Sequence, residues 1–303
     1  MTKVAHIINC RNKGPYVYRT VAAALAQVYP CEIVVADFAS TDNSRAEIER
    51  AIADAPRNAE HEVKFLECNW QTKTSMFEMN KNVDWLWRQT SPECEWIFQS
   101  SADDYSLPAR VSVCMAAVEK NPCSSVATTM YFEEPDKPSR ESVSGYPQQT
   151  GYVKAGEGLM NLAYGSTIGG YARDFLERVG SAGPNTPDVY WGLLSAIDRG
   201  FYVVANPQHV HSMVADVNNT GFQGKMRGAS GDDSLKLAAM NHEQLLRLYL
   251  ACWDAGLKFT KGKMPDEAVN ALANMVLGQS KGLMDAREEL RRKGIPQCVL
   301  ELP

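Results

Sequence analysis

Through the first 120 residues, short apolar runs alternate with longer stretches of helical periodicity. Residues 4–9 (VAHIIN) form a compact apolar run bounded by polar residues, the pattern of a buried strand. Residues 16–29 follow with Val17, Val21, Ala24, Leu25 and Val28 on one side, as a helix requires. A second apolar run, 31–36, ends at Asp37, and Ser40-Thr41-Asp42-Asn43 supplies N-capping chemistry for a helix to about residue 53. A short strand is expected at 63–66, a helix at 74–88, a strand at 96–99, and a helix opened by Pro108 and running to 118. This β-α-β-α-β-α-β-α order predicts an α/β fold, a mainly parallel sheet covered by helices on both faces.

The later pattern is less regular. A strand is expected at 124–132, followed by a long Pro- and charge-rich loop at 133–149. Loops of that length usually serve as lids or are disordered. Residues 163–171 (AYGSTIGGY) are small and glycine-rich, fitting a strand or turn packed closely against a neighbour. Helices are expected at 173–179 and 188–199, the second ended by Gly200, and a last strand at 201–205. A glycine-rich, mobile-looking stretch at 220–233 separates this body from two long helical patterns, 234–253 and 265–293. Two units follow: an α/β body at 1–220 and a helical extension at 221–303.

Composition narrows the classes. The net charge is −5 over 303 residues, so no global basic field recruits nucleic acid or an anionic membrane. The basic group Lys225, Arg227, Lys258, Lys261 and Lys263 reads as solvated surface. Eight cysteines without a C-x-x-C pair suit buried thiols in a reducing compartment better than disulfides or a zinc site. With no signal-peptide pattern and no apolar run near the roughly 20 residues needed to cross a bilayer, a cytoplasmic protein is expected.

The candidate chemistry centres on WIFQSSADDYSLPARV, where an apolar strand ends in Ser100, Ser101 and Ala102 and then in Asp103 and Asp104. Carboxylates at the carboxyl end of a buried strand stand where open α/β sheets bind ligands. Two hard oxygen ligands there suit Mg²⁺ or Mn²⁺ bridging a diphosphate. The alternative is that Asp103 caps the next helix and Asp104 is solvated.

Several stretches, taken in order, resemble family 2 glycosyltransferases, which have the Rossmann-like GT-A fold. VAHIINCRNKGPYVYRTVAAALAQVY is similar to that family's opening strand, Asn-containing loop and helix. CEIVVADFASTDNS resembles its strand and Asp-x-x-Ser-Thr-Asp turn, and WIFQSSADDYSLPARV its acidic strand end. GGYARDFLERVG and TPDVYWGLLSAIDRGFYVVANP resemble the region around its catalytic acidic segment. The resemblance spans about residues 3–215 and implies a nucleotide-sugar donor and a divalent metal.

Carried over residue by residue, it implies that Asp37 bonds the donor's nucleobase, with Asp42 close by and Asn12 and Arg11 near the same nucleotide. A carboxylate accepting an imino N–H suits uracil, which favours a UDP-sugar. Asp103 and Asp104 would hold the metal and diphosphate, although Ser101 stands at the family's first acidic position. His209 or His211, which alternation in an extended segment puts on one face, would add a ligand. Asp188 would be the general base that takes the acceptor's proton in an inverting displacement, in a Pro187-Asp188 pair where the family has Glu-Asp. Lys73, in a segment replacing the family's glycine-rich loop, is a candidate phosphate contact, and Trp191 a candidate acceptor contact. The acceptor is left open among a saccharide, a lipid-linked saccharide, a protein and a modified DNA base. Two other readings stay open: a nucleotidyltransferase, for which CRNKGP is a poor phosphate loop, and a non-catalytic module on the same fold.

Overall fold

The computed structural model describes residues 1–69, 76–133, 140–142, 150–156, 169–181, 183, 187–212 and 231–295, with the backbone alone at 76–79, 132, 140–142, 187 and 188. The glycine-rich 220–230, most of the 133–149 loop and Lys73 lie outside these residues.

Four parallel strands alternate with helices: β1 (Val4–Cys10), α1 (Gly14–Leu25), β2 (Glu32–Phe38), α2 (Ser44–Asp54), β3 (Glu62–Cys68), α3 (Met76–Arg88) and β4 (Trp96–Ser101). A two-residue strand β5 (Tyr105–Ser106) and helix α4 (Arg110–Val118) follow. Next come β6 (Ser125–Glu133), β7 (Arg140–Ser142), β8 (Gly151–Val153), β9 (Gly169–Ala172), α5 (Arg173–Val179), α6 (Pro187–Asp198) and β10 (Phe201–Ser212). One sheet runs β3-β2-β1-β4-β9-β6-β10-β5, with β7 on β6 and β8 on β10. It is the mixed, mainly parallel, helix-flanked sheet that the alternation implies. β2 is buried along its whole length, as a strand covered on both faces must be.

Direction matters for the site. β9 is antiparallel to both β4 and β6, and β10 is parallel to β6. The strands β1, β2, β4, β6 and β10 therefore all end at one edge. β9 fits between its neighbours only because it begins with two glycines: a Cβ on Gly169 would lie 1.7 Å from the Val126 carbonyl oxygen, and one on Gly170 would meet the Phe98 ring.

Several boundaries differ from the sequence pattern. α1 ends at Leu25 rather than 29, because Gln27 turns inward: its side-chain amide donates to Ala23 and Leu107 carbonyls and accepts from the Val111 N–H. Val28 is consequently exposed. β10 does not stop at 205. An irregularity between Val204 and His209 absorbs Asn206-Pro207, and pairing with β6 resumes through Ser212.

Two antiparallel helices, α7 (Asp232–Phe259) and α8 (Asp266–Arg292), make the C-terminal hairpin. Leu248, Tyr249, Cys252, Ala268 and Leu272 join the same buried core as the sheet, and Phe259 meets Phe175 of α5 edge-on at 6.1 Å. The seven described cysteines are buried and free. No helix among the described residues is long and apolar enough to cross a membrane.

At the opposite edge of the sheet, the buried Glu32 carboxylate accepts from Lys64 Nζ at 2.5 Å and from the Ser91 N–H at 2.8 Å. Burial alone would raise its pKa, but Lys64, Ser91 and Cys94 hold it below the usual range. A depressed carboxyl stabilises the fold above its unfolded pKa, and that contribution is lost as pH falls through the folded value. Glu32→Gln is expected to cost about 1–2 kcal/mol at pH 7, the deficit closing below about pH 4. Urea unfolding at both pH values measures it; an equal deficit at both would mean that the charge is not what holds this junction.

Candidate functional site

The loop after β1 is shaped by side chains of the loop after β2. Asn12 adopts φ 49°, and its backbone N–H donates to Ser40 Oγ at 2.9 Å. Its side-chain oxygen accepts the Thr41 N–H at 2.8 Å. Asp42 accepts the N–H of Gly14 and that of Ser44, each at 3.0 Å. Asn12 and Asp42 thus build the loops rather than point away from them. Burial raises the pKa of Asp42, but its hydrogen bonds outweigh that and hold the group below the usual range. Asp37, at the end of β2, accepts from Ser40 Oγ, and burial pushes its carboxyl upward. Asp37 and the 11–14 loop therefore share one wall, joined through Ser40.

The acidic turn after β4 splits its two carboxylates. Thr20 of α1 donates to the carbonyls of Ala102 (3.0 Å) and Asp104 (2.6 Å), fixing the turn's backbone. Asp103 is 18% exposed, with Lys13 Nζ at 2.7 Å. Asp104 faces inward and is buried. Its carboxylate accepts the Ser212 N–H at 3.0 Å and lies 3.1 Å from His211 Nδ1 and 3.6 Å from His209 Nε2. Burial alone would raise Asp104, but His211 and His209 hold it well below the usual carboxylate range. His209 is fully buried, which pushes its pKa down to about 4 and keeps it neutral.

A second bridge crosses the same edge. Arg19 of α1 donates to Glu133 (2.8 Å) at the end of β6 and to Ser212 Oγ (2.7 Å) at the end of β10, and stacks on Tyr105 with Cζ 4.2 Å from the ring centre. Lys13, Arg19, Glu133 and Ser212 were not among the residues singled out from the sequence. Contacts at sequence separations of 114 and 193 leave no local pattern.

For a divalent cation, Asp103 is a suitable group: a partly exposed carboxylate, of the kind that binds Mg²⁺ or Mn²⁺ together with substrate phosphates and retained waters. His211, with a side chain 42% exposed, stands nearby through Asp104. The Asp104 carboxylate oxygens are engaged, and the His209 imidazole is fully buried with no hydrogen-bond partner on either ring nitrogen among the described residues. No group of three or more His, Cys, Asp or Glu among the described residues forms a closed metal cage.

Trp191 does not line a surface that an acceptor reaches. It is 2% exposed, donates its indole N–H to the Ser181 carbonyl at 3.0 Å, and packs edge-on against Tyr171. Its place on the inner face of an amphipathic helix decides this. Asp188 stands in the first turn of α6, its side chain outside the described residues. Residues 199 and 200 join α6 to β10.

Three comparisons place this arrangement among known proteins. The Glycosyl transferase family 2 model matches residues 6–179. The TarS 1–349 structure from S. aureus, in complex with UDP-GlcNAc, superposes with a TM-score of 0.60 at 14% identity, covering 97% of this chain and 92% of that one. The mannosyltransferase PcManGT from Pyrobaculum calidifontis, in complex with GDP-Man and Mn²⁺, gives 0.58 at 14% identity, covering 96% and 75%. The fold is thus that of the GT-A glycosyltransferases. No curated protein matches the sequence.

Beneath the cleft, Arg110 is fully buried and donates to Ser106 Oγ (2.7 Å), Ser100 Oγ (3.1 Å) and the carbonyls of Gln99 (3.0 Å) and Gly169 (3.1 Å). Burial pushes its pKa down to about 10, so it remains charged at neutral pH. Arg110→Met strands two buried carbonyls and is expected to destabilise by about 3–4 kcal/mol. Lysine, a point charge without the planar fork, is expected to restore only part of that. Denaturant unfolding measures both, and a loss below about 1 kcal/mol for methionine would show that these bonds contribute no more than an ordinary net hydrogen bond.

Proposed function

The chain belongs to glycosyl transferase family 2, and from that membership we propose that it moves a sugar from a nucleoside diphosphate donor to an acceptor hydroxyl with inversion, a UDP-sugar being favoured. The observation that carries this reading is the grouping of Asp37, Lys13 and Asp103 around the crevice where strand order reverses between β1 and β4. That crevice is where open α/β sheets take ligands.

In this reading Asp37, oriented by Ser40, accepts the imino N–H of the base. Uracil offers that donor and adenine does not; guanine offers one too, which makes GDP the informative control. Asp103 and Lys13 lie beside the diphosphate, with Arg11 on the same loop and Lys73 a candidate on the segment after β3. Asp103, with His211 beside it, would hold a divalent cation, Mn²⁺ or Mg²⁺. When bound, such a cation neutralises charge on the leaving diphosphate. Asp188, in the first turn of α6, takes the proton of the attacking hydroxyl. Residues 1–220 carry these groups. Helix α7, within the 221–303 extension, packs on the helix that bears Asp188, through the core that α6 and α7 share.

The reading is tested in two steps. UDP, GDP and ADP are compared by thermal shift with and without Mn²⁺; UDP is expected to raise the melting temperature most, since ligand binding stabilises the folded state. Asp188→Asn is then expected to lower kcat by about 10²- to 10⁴-fold with little change in donor KM. No shift with any nucleotide would sink the donor site. Binding without turnover of any nucleotide sugar would favour the non-catalytic module, a reading that Ser101 and the buried Asp104 already motivate.

A further inference from the structure

Helix N-termini bind phosphate through their free N–H groups, but at α1 these groups are occupied. Asp42 accepts the N–H of Gly14 at 3.0 Å, and Pro15 has none. The N–H groups of Tyr16 and Val17 both turn back to the Lys13 carbonyl at 2.9 Å. A diphosphate in this crevice must therefore be met by side-chain cations.

Lys13 is placed to do this. Its own N–H is bound to Ser44 Oγ at 2.8 Å and its carbonyl to the first turn of α1, so the backbone on both sides is fixed. Its side chain crosses to the acidic turn, where Nζ lies 2.7 Å from Asp103, both groups being mostly covered (14% and 18% exposed). The carboxylate best suited to a cation is thus already neutralised by a cation belonging to the chain.

We propose that Lys13 is a placeholder for the divalent cation at Asp103, and that it turns to the donor's diphosphate when the cation takes the carboxylate. This rests on the donor-site reading above and adds to it a role for one residue. Two consequences follow from electrostatics alone. Removing the lysine frees Asp103, so a cation binds the nucleotide-free protein more tightly. The same change removes the positive charge that the cation would release to the phosphates, so nucleotide binds more weakly at saturating metal.

The test uses the full chain as wild type, Lys13→Met, Lys13→Arg and Asp103→Asn, with circular dichroism to verify folding. Mn²⁺ affinity without nucleotide is read by electron paramagnetic resonance, and UDP affinity at saturating Mn²⁺ and in EDTA by calorimetry. For Lys13→Met, Mn²⁺ is expected to bind roughly 5- to 10-fold tighter and UDP at saturating Mn²⁺ roughly 10-fold weaker, the range for one partly buried charge pair. Lys13→Arg is expected to retain UDP binding, and Asp103→Asn to lose Mn²⁺ binding while keeping UDP binding in EDTA. Unchanged or weaker Mn²⁺ binding by Lys13→Met overturns the placeholder, and unchanged UDP affinity at saturating Mn²⁺ overturns the phosphate contact. If the wild type binds no nucleoside diphosphate under any condition, the donor-site reading fails instead, and the Mn²⁺ measurement alone still decides whether lysine and cation compete.

Discussion

The Asp104 carboxylate joins segments that are far apart in the chain. It sits just past the end of β4, and its partners, His211 and the Ser212 N–H, lie at the end of β10, more than 100 residues later. Thr20 of α1 grips the same turn by its carbonyls. An ionised carboxylate taken out of water costs several kcal/mol unless its oxygens are satisfied. Here both are, so the turn has one low-energy arrangement, and removing any partner leaves a buried charge exposed to a poor environment. The carboxyl edge of the sheet is consequently defined before any ligand arrives.

That constraint also separates two adjacent residues with identical side chains. Asp104 is drawn inward and its backbone carbonyl is held by Thr20, while the preceding Asp103 is partly exposed and meets Lys13. One carboxylate supports the fold and the other is available to chemistry. On the neighbouring wall, Asn12 and Asp42 are similarly consumed in shaping loops, and Asp37 is bound to Ser40.

The alternating pattern made the sheet and its helices readable, since a strand covered on both faces must be apolar throughout and a helix on its surface must be apolar on one side. What could not be read is instructive. Asp103 and Asp104 are indistinguishable as letters; their division depends on a threonine more than 80 residues earlier. β10 resumes after Asn206-Pro207 because β6 is long enough to pair with both halves, a tertiary effect with no local sign. Trp191 has the composition of a sugar-stacking residue, yet its position on the inner side of α6 places it against Tyr171. Burial of a guanidinium such as that of Arg110 is rare enough that only its acceptors in the folded chain reveal it.

Arg110 also explains the protonation state of its neighbours. It places a positive charge in the interior, held by two serine hydroxyls and two backbone carbonyls among its acceptors. Its field falls on His209, where it adds to burial in driving the imidazole neutral, against the opposing pull of Asp104. A second buried cation beside Arg110 would raise the energy of both, so the cluster settles with Arg110 positive, His209 neutral and Asp104 negative. Asp104 in turn helps to keep Arg110 charged. The interior beneath the crevice therefore holds opposite charges that offset one another. Above it, the balance of Lys13 against Asp103 is left for a ligand to change.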